Sequence, residues 1–359
     1  MKKTALALGL LALASSTAWA QSSVTLYGIV DVGVRYTTNS GTTAGTKGSS
    51  LSQVIPGGMS NSRLGVNVTE DMGGGLKAIA NLEHRLNSDT GAQTAGEFWR
   101  QSWVGLESKD YGRLTLGRQY NVLFDVYTST YSSFKYSPYI EIFRPETVMA
   151  MGGRQSNMVK YLVEAGGFRA EAQVSAGEGA TPDKSMGAMA RYVMNEFALG
   201  AGFLEAKDTA GRKVQGMTVG GAYTSGPMYL NLSWAQNKFD LGTNVLQAAY
   251  TNNYTVSPNS ALNAAGLDVK QRDMVTMGLT YQLSPQLNLG LQGWYAEQTH
   301  HVLGGKSKAG FAAAVADYAL SKRTDVYAEL DYTKLGGAVS FSNTAKDRVG
   351  VSSGIRHRF

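Results

Sequence analysis

Four histidines stand in this sequence, His84, His300, His301 and His357, and there is no cysteine. Hydrolysis through a covalent intermediate needs a nucleophile, a base and a group that orients the base. A His-Ser pair is conceivable at His84, but no partner at useful spacing completes a catalytic set. The His300-His301 pair would need two more ligands to hold zinc, and none is suggested, so it reads as a solvated pair on a long loop. The glycines at 73–75 precede no helical pattern and mark a tight turn, not a phosphate cradle. No cofactor and no metal are implied. What remains is fixed charge: Arg35, Arg63, Arg85, Arg100 and Arg113 with Lys77 and Lys160, against Asp31, Glu83, Glu171 and Asp331. Guanidinium stays charged at any accessible pH, so arginines brought together would act on ions through a permanent field. The elements that carry these residues must decide whether they meet.

The opening "MKKTALALGLLALASSTAWA" has two lysines, an apolar run, and small residues closing on Ala18-Trp19-Ala20. This is the pattern of a secretory signal peptide, so residues 1–20 are expected to be removed and 21–359 to fold as one unit. The chain carries a formal net charge of +6, spread along its length, which does not imply nucleic acid as a partner. Its 43 glycines and 19 tyrosines against 7 prolines favour extended structure with tight turns. Mean hydropathy is −0.18, and no later stretch is apolar for long enough to cross a bilayer as a helix.

Periodicity then separates the possibilities. In "SRLGVNVT" Leu64, Val66 and Val68 share one parity while Arg63, Asn67 and Thr69 share the other. "LKAIANLEHRL", "FRAEAQVS", "MYLNLSWA" and "DVYAELDY" repeat this alternation, the signature of a strand with one apolar face. The pattern predicts strands over 23–36, 61–70, 76–87, 98–107, 112–118, 157–164, 168–177 and 187–195. It predicts eight more over 197–206, 213–224, 228–238, 270–283, 286–299, 307–320, 323–334 and 347–359.

Every second connection is short, such as "AGG", "SGP" and "SKR", and the others are longer, up to 119–156. Short turns at one end and long loops at the other mark an up-and-down meander with unlike ends. A soluble sandwich would bury large aliphatics between two sheets. Here the apolar faces mix Ala, Gly, Val and Leu, with Trp103, Tyr161, Tyr223, Trp234, Tyr281, Tyr295 and Tyr332 near strand ends, as in a headgroup-level girdle. The opposite faces are too charged for a core. In hydrocarbon every backbone donor and acceptor must be paired, so such a sheet must close on itself. Sixteen strands would close around water. In the last strand Val349, Val351, Ile355 and Phe359 take the outward parity, so Phe359 is expected in the periplasmic-side girdle of an all-β transmembrane barrel.

The stretches "SSVTLYGIVDVGVRY", "NSRLGVNVTEDMGGGLKAIANLEHRLN", "RQSWVGLESKDYGRLTLGRQYN" and the closing "GIRHRF" resemble the general porins of Gram-negative bacteria, in the betaproteobacterial and neisserial branch. The resemblance covers essentially all of 21–359. It implies a sixteen-stranded antiparallel barrel in the outer membrane, assembled as a homotrimer and passing small hydrophilic solutes by diffusion. It also implies that the third long loop, here 119–156, folds into the lumen and narrows it. A connection that long without its own periodicity is functional or disordered, and its many aromatics argue against disorder.

Anion-selective members of the resembled family carry wall arginines facing a loop carboxylate. By motif, "NSRLG" supplies Arg63, "FWRQSWVGL" Arg100 and "GGRQSNMVKY" Arg154. These are expected to form the cationic side of the pore constriction, with Asp125 of the loop and Glu83 of the wall as acidic partners. Glu141 and Glu146 compete with Asp125, and Arg118, Lys135 and Arg144 are also available. Lys306, Lys308, Lys322 and Lys334 read as loop and turn charges, and the expected partners are outer-membrane lipid, lipopolysaccharide whose phosphates some of these lysines would grip, and small hydrophilic solutes and anions. Two rivals stand beside a general pore. One is a solute-specific channel in which Tyr127, Tyr131, Phe134, Tyr136 and Tyr139 form an aromatic slide; in the other reading of these residues, they pin the loop to the wall. The second rival is a barrel-borne hydrolase, for which His84 and His357 point to lipid from opposite ends of the chain.

Overall fold

The computed structural model describes residues 22–40, 49–93, 98–132, 152–178, 184–242, 268–340 and 344–359. The leader therefore lies outside the described residues, as do Phe134, Lys135, Tyr136, Tyr139, Glu141, Arg144 and Glu146.

Alternating apolar and polar residues produce strands β1 (Ser23–Thr37), β2 (Leu51–Ile55), β3 (Arg63–Gly73), β4 (Leu76–Arg85), β5 (Trp99–Ser108) and β6 (Gly112–Tyr120). After the third long loop come β7 (Arg154–Ala165), β8 (Phe168–Ser175), β9 (Lys184–Met194), β10 (Phe197–Lys207), β11 (Lys213–Ser225) and β12 (Met228–Phe239). The ring is completed by β13 (Val269–Gln282), β14 (Leu287–His300), β15 (Lys306–Ala319), β16 (Thr324–Gly336) and β17 (Asp347–Arg358). β1 pairs antiparallel with β2 and β3, each strand from β3 onward pairs antiparallel with the next in sequence, and β17 pairs back onto β1, from Ile29 opposite Arg358 to Thr37 opposite Gly350. Closure removes both edges, which satisfies every ladder position in a medium that offers no water.

The first and second barrel strands depart from a plain meander. β1 pairs with β3 over Ser23–Ile29 and with β2 over Gly33–Thr37, so β2 and β3 are two halves of one barrel strand and the barrel is sixteen-stranded. The sequence pattern predicted only the second half, from residue 61. The short run Leu51–Ile55 was concealed because Pro56, Gly57 and Gly58 follow it at once. Pro56 has no ladder donor and Gly57 stands at φ +117°, so the chain leaves the sheet there.

Outside, Leu64, Leu82, Leu106, Leu199, Leu232, Leu291, Leu330 and Ile355 are exposed, forming the apolar band that meets lipid. Tyr161, Tyr281, Tyr295 and Tyr332 are also exposed on that face. Trp103 is a correction to the expected girdle. It pairs opposite Asn81 on the inner face, and its indole N–H donates to Gln101 Oε1 at 3.3 Å. The periodic reading failed because β5 changes parity within its own length, as described below. At the closing strand, Phe359 exchanges both backbone hydrogen bonds with Gly28 at 3.1 Å, and its ring lies over the bare Cα of Gly28.

Candidate functional site

The third loop enters the barrel directly from β6. Asn121 caps a short helix, α1 (Val122–Val126), by accepting the Phe124 N–H on Oδ1 at 3.0 Å. Its own amide donates to Gly152 O at 2.7 Å, tying the two ends of the loop together. A π-helical turn, Tyr127–Tyr131, continues α1. Val122, Leu123, Val126, Tyr127 and Tyr131 are buried against the inner faces of β8–β11. That wall has room because glycines stand where the helix approaches. A Cβ on Gly200 would sit 2.9 Å from Val126 Cγ2, and one on Gly220 would sit 2.8 Å from the Tyr131 ring. Two phenols complete the anchorage: Tyr131 Oη is 2.9 Å from Thr218 Oγ1, and Tyr229 donates to Ser132 O at 2.8 Å. Tyr127 and Tyr131 thus pin the loop to the wall and do not line a slide for solutes.

Beside this loop lies a cluster of arginines. Arg63 begins β3, Arg100 lies in β5 and Arg154 begins β7. Glu83 of β4 lies 3.4 Å from Arg100 Nη1 and 3.8 Å from Arg63 Nη1, and accepts the Tyr27 hydroxyl at 3.1 Å. Arg100 Nη2 also donates to Tyr120 Oη at 3.0 Å, and the Arg154 guanidinium carbon stands 5.4 Å from the centre of the Tyr120 ring. Phe124 of α1 stacks on the same ring at 4.2 Å. Arg85 is the register partner of Arg63 and is buried on the same face. Four guanidinium groups therefore share one stretch of inner wall, with Arg63 and Arg100 flanking Glu83 and Arg154 reaching the same Tyr120 as Arg100. Removing either partner from a buried pair of this kind leaves an uncompensated charge and costs about 3–5 kcal/mol.

Arg100 reaches the lumen through a distortion. Val104 and Leu106 face outward, and strict alternation would carry Arg100 outward with them. The register shift between Glu83 and His84, opposite Gln101 and Trp99, inserts an extra residue and turns Arg100 inward, where it is 0% exposed.

Asp125 does not join the arginines. Its Oδ2 accepts from Lys160 Nζ at 2.6 Å, and Lys160 also reaches Tyr120 O at 3.0 Å and lies 3.7 Å from Glu171. Glu171 pairs with Arg169, which lies 3.4 Å from Glu164, and Arg191 is 3.8 Å from Glu164. This second network holds three carboxylates and three cations, so it anchors α1 without a net field. Of the expected acidic partners, only Glu83 meets Arg63 and Arg100. Tyr120 was missed in the sequence reading, although its place between "GRQ" and the capping Asn121 made it the hinge between wall and loop.

The histidines are dispersed. His84 packs outside against Phe98 and Trp99, with ring centres 4.5 and 6.3 Å away. His357 Nδ1 is 2.9 Å from Thr324 Oγ1 on the outer face. His300 is no solvated loop residue: it ends β14, is buried, and has Nε2 2.8 Å from Ser307 Oγ. His301 Nε2 is 2.8 Å from Phe239 O. Neither His84 nor His357 stands with a nucleophile in the lumen.

A closed transmembrane barrel, with its charges inside and a loop folded across the bore, is the architecture of an outer-membrane pore. The comparisons agree. The Gram-negative porin family model matches residues 5–338, and the chain belongs to that family. It is 28% identical over 414 residues to an outer membrane porin protein of Bordetella pertussis, with all of both chains covered. It is 29% identical over 388 residues to outer membrane porin protein 32 of Delftia acidovorans, again with all of both chains covered. Among solved structures it is similar to the anion-selective porin from Comamonas acidovorans, with a TM-score of 0.75, 26% identity, and coverage of 94% of this chain and 100% of that one. The protein is an outer-membrane porin, a passive channel for small hydrophilic solutes.

Proposed function

We propose that this porin is a general pore preferring anions, and that Arg63, Arg100 and Arg154, with Glu83 as their counter-charge, set the preference at the constriction. The observation that carries the reading is the gathering of Arg63, Arg85, Arg100 and Arg154 on one stretch of inner wall, where Arg63 and Arg100 flank Glu83 and Arg154 lies over Tyr120. Low-dielectric walls focus such a field into the bore, raising the local concentration of anions and lowering that of cations. Glu83 offsets part of the mutual repulsion that would otherwise splay the arginines. Asp125 acts through Lys160 as an anchor of the loop. The likeness to a porin described as anion-selective supports the same reading.

In this reading the mature protein begins after residue 20, assembles as a homotrimer as family membership implies, and rests in outer-membrane lipid. Its exposed Lys306, Lys308 and Lys334, at the long-loop end, are available to lipopolysaccharide phosphates, whereas Lys322 lies on a short turn at the other end. Planar-bilayer zero-current potentials under a KCl gradient test the charge assignment. In a water-filled bore, a unit charge about 8 Å from an ion is worth about 0.5 kcal/mol, with opposite sign for chloride and potassium. Each arginine changed to alanine should therefore lower the chloride-to-potassium permeability ratio by about twofold to fivefold, the smaller value after screening. Ratios unchanged in all three variants would move the selectivity site elsewhere.

A further inference from the structure

The seven residues 56–62, between β2 and β3, oppose only three residues of β1, Val30–Val32. The surplus turns into the barrel. There it is held by groups on the inner faces of β1, β16 and β17, and Pro56 through Ser62 are all buried. Asp31 is the centre of this attachment. Its Oδ2 accepts the Ser60 N–H at 2.7 Å, and its Oδ1 accepts the Gly58 N–H at 3.3 Å and the Tyr327 hydroxyl at 2.6 Å. The Gly58 N–H also donates to Tyr327 Oη at 3.0 Å, and Arg356 Nη1 donates to Ser60 Oγ at 3.0 Å. Gly58 lies so close on the Tyr327 ring that an added Cβ would stand 2.8 Å from Cε2 and from Oη. Just beyond the bend, Arg63 Nε donates to Asn61 O at 3.0 Å.

The position of this bend in the ring matters most. The loop helix α1 packs on β9 and β10, and the bend is clipped to β1 and its neighbours β16 and β17. With β2 and β3 as one strand, β10 lies eight strands from β1 whichever way the ring is followed. Both contacts fall near mid-strand, at Gly200–Gly202 on β10 and at Asp31 on β1. The two inward segments therefore face each other across the bore.

We propose that residues 56–62 are the second jaw of the pore constriction, opposite the loop helix, and that Asp31 and Tyr327 are the positioning residues that hold it. A constriction with two jaws is narrowed from both sides, and the clip keeps the bend from swinging into the path of solutes. This goes beyond the charge reading, because it concerns the size of the opening and not its sign.

Single-channel recording tests it. Deleting Gly57–Ser60 leaves Pro56, Asn61 and Ser62 to span the gap opposite Val30–Val32, and conductance in concentrated KCl should rise roughly twofold. Proteoliposomes of the same variant should admit larger neutral sugars. Parental conductance and sugar cut-off in a variant that retains heat-modifiable barrel mobility on gels would overturn the proposal. The Tyr327→Phe variant keeps the backbone intact and decides the matter should the deletion fail to fold. Its open-channel current should fluctuate between levels that the parent lacks, and recordings indistinguishable from the parent would also overturn the proposal. In the deletion background the same substitution should add no fluctuation, since nothing remains to be held; added fluctuation there would assign Tyr327 a general structural role. Failure of the anion reading would instead appear as an altered zero-current potential in the parent, which none of these outcomes depends on.

Discussion

Two stretches of the inner wall treat charge in opposite ways. Along β3–β7, four arginines surround Glu83, and the neighbouring Asp125 is neutralised by Lys160. Along β1 and β15–β17, the next stretch of the ring, Arg35 pairs with Asp331 at 2.7 Å, and Arg356 pairs with Asp325 at 2.9 Å and with Asp317 at 3.6 Å. Glu329 there accepts from Ser352 at 2.6 Å, and Asp31 accepts from Tyr327. On this stretch each carboxylate has its donor, so the charges are spent on architecture. On the first stretch four arginines lie together with one carboxylate of the described wall, and their field falls on the bore. Charged groups can thus serve function or scaffold, depending on how they are grouped.

This contrast can be broken at several points. The largest effect is expected from replacing Arg63, Arg100 and Arg154 by alanine together, which should bring the zero-current potential close to zero, because Arg85 would then balance Glu83 one to one among the charges of this cluster. On the adjoining stretch, Asp331→Asn should leave ion preference close to the parent's. It should cost about 3–5 kcal/mol of stability, because Arg35 would remain buried without its counter-charge; urea-dependent loss of the folded gel band measures this. Gly200→Val tests the floor beneath the loop helix. The added methyl groups would meet Val126 and Thr130 side chains, and overpacking of this kind costs about 1–3 kcal/mol, so the loop should shift and conductance should become heterogeneous. The smallest effect is expected at Lys306, whose ammonium is 2.8 Å from Glu297 at an exposed rim. Lys306→Ala should change neither stability nor zero-current potential measurably, since exposed pairs contribute little.

Much of the barrel was legible because its physics is local. A strand with lipid on one side and water on the other must alternate, and Leu230, Leu232 and Trp234 against Asn231 and Ser233 announce this without reference to any other strand. What could not be read depends on departures from that rule. The extra residue in β5 lets Arg100 and Trp103 both face inward, and nothing in "FWRQSWVGL" marks a bulge. The half-strand Leu51–Ile55 was hidden by the glycines that let the chain turn inward after it. Asp125 was assigned to the arginines because it lies on the right loop; its actual partner depends on which face of α1 meets β7. The glycines at 187, 200, 202 and 220 read as ordinary small strand residues until the helix they accommodate is in view. The wall arginines were nominated by motif, and their convergence on Glu83 and Tyr120 required the register of four strands.

The most direct test of the account is the zero-current potential of the unmodified porin in a planar bilayer separating dilute from concentrated KCl. The gathering of four arginines on the β3–β7 wall predicts a potential of the sign set by chloride moving down its gradient. A potential of the sign set by potassium would contradict it.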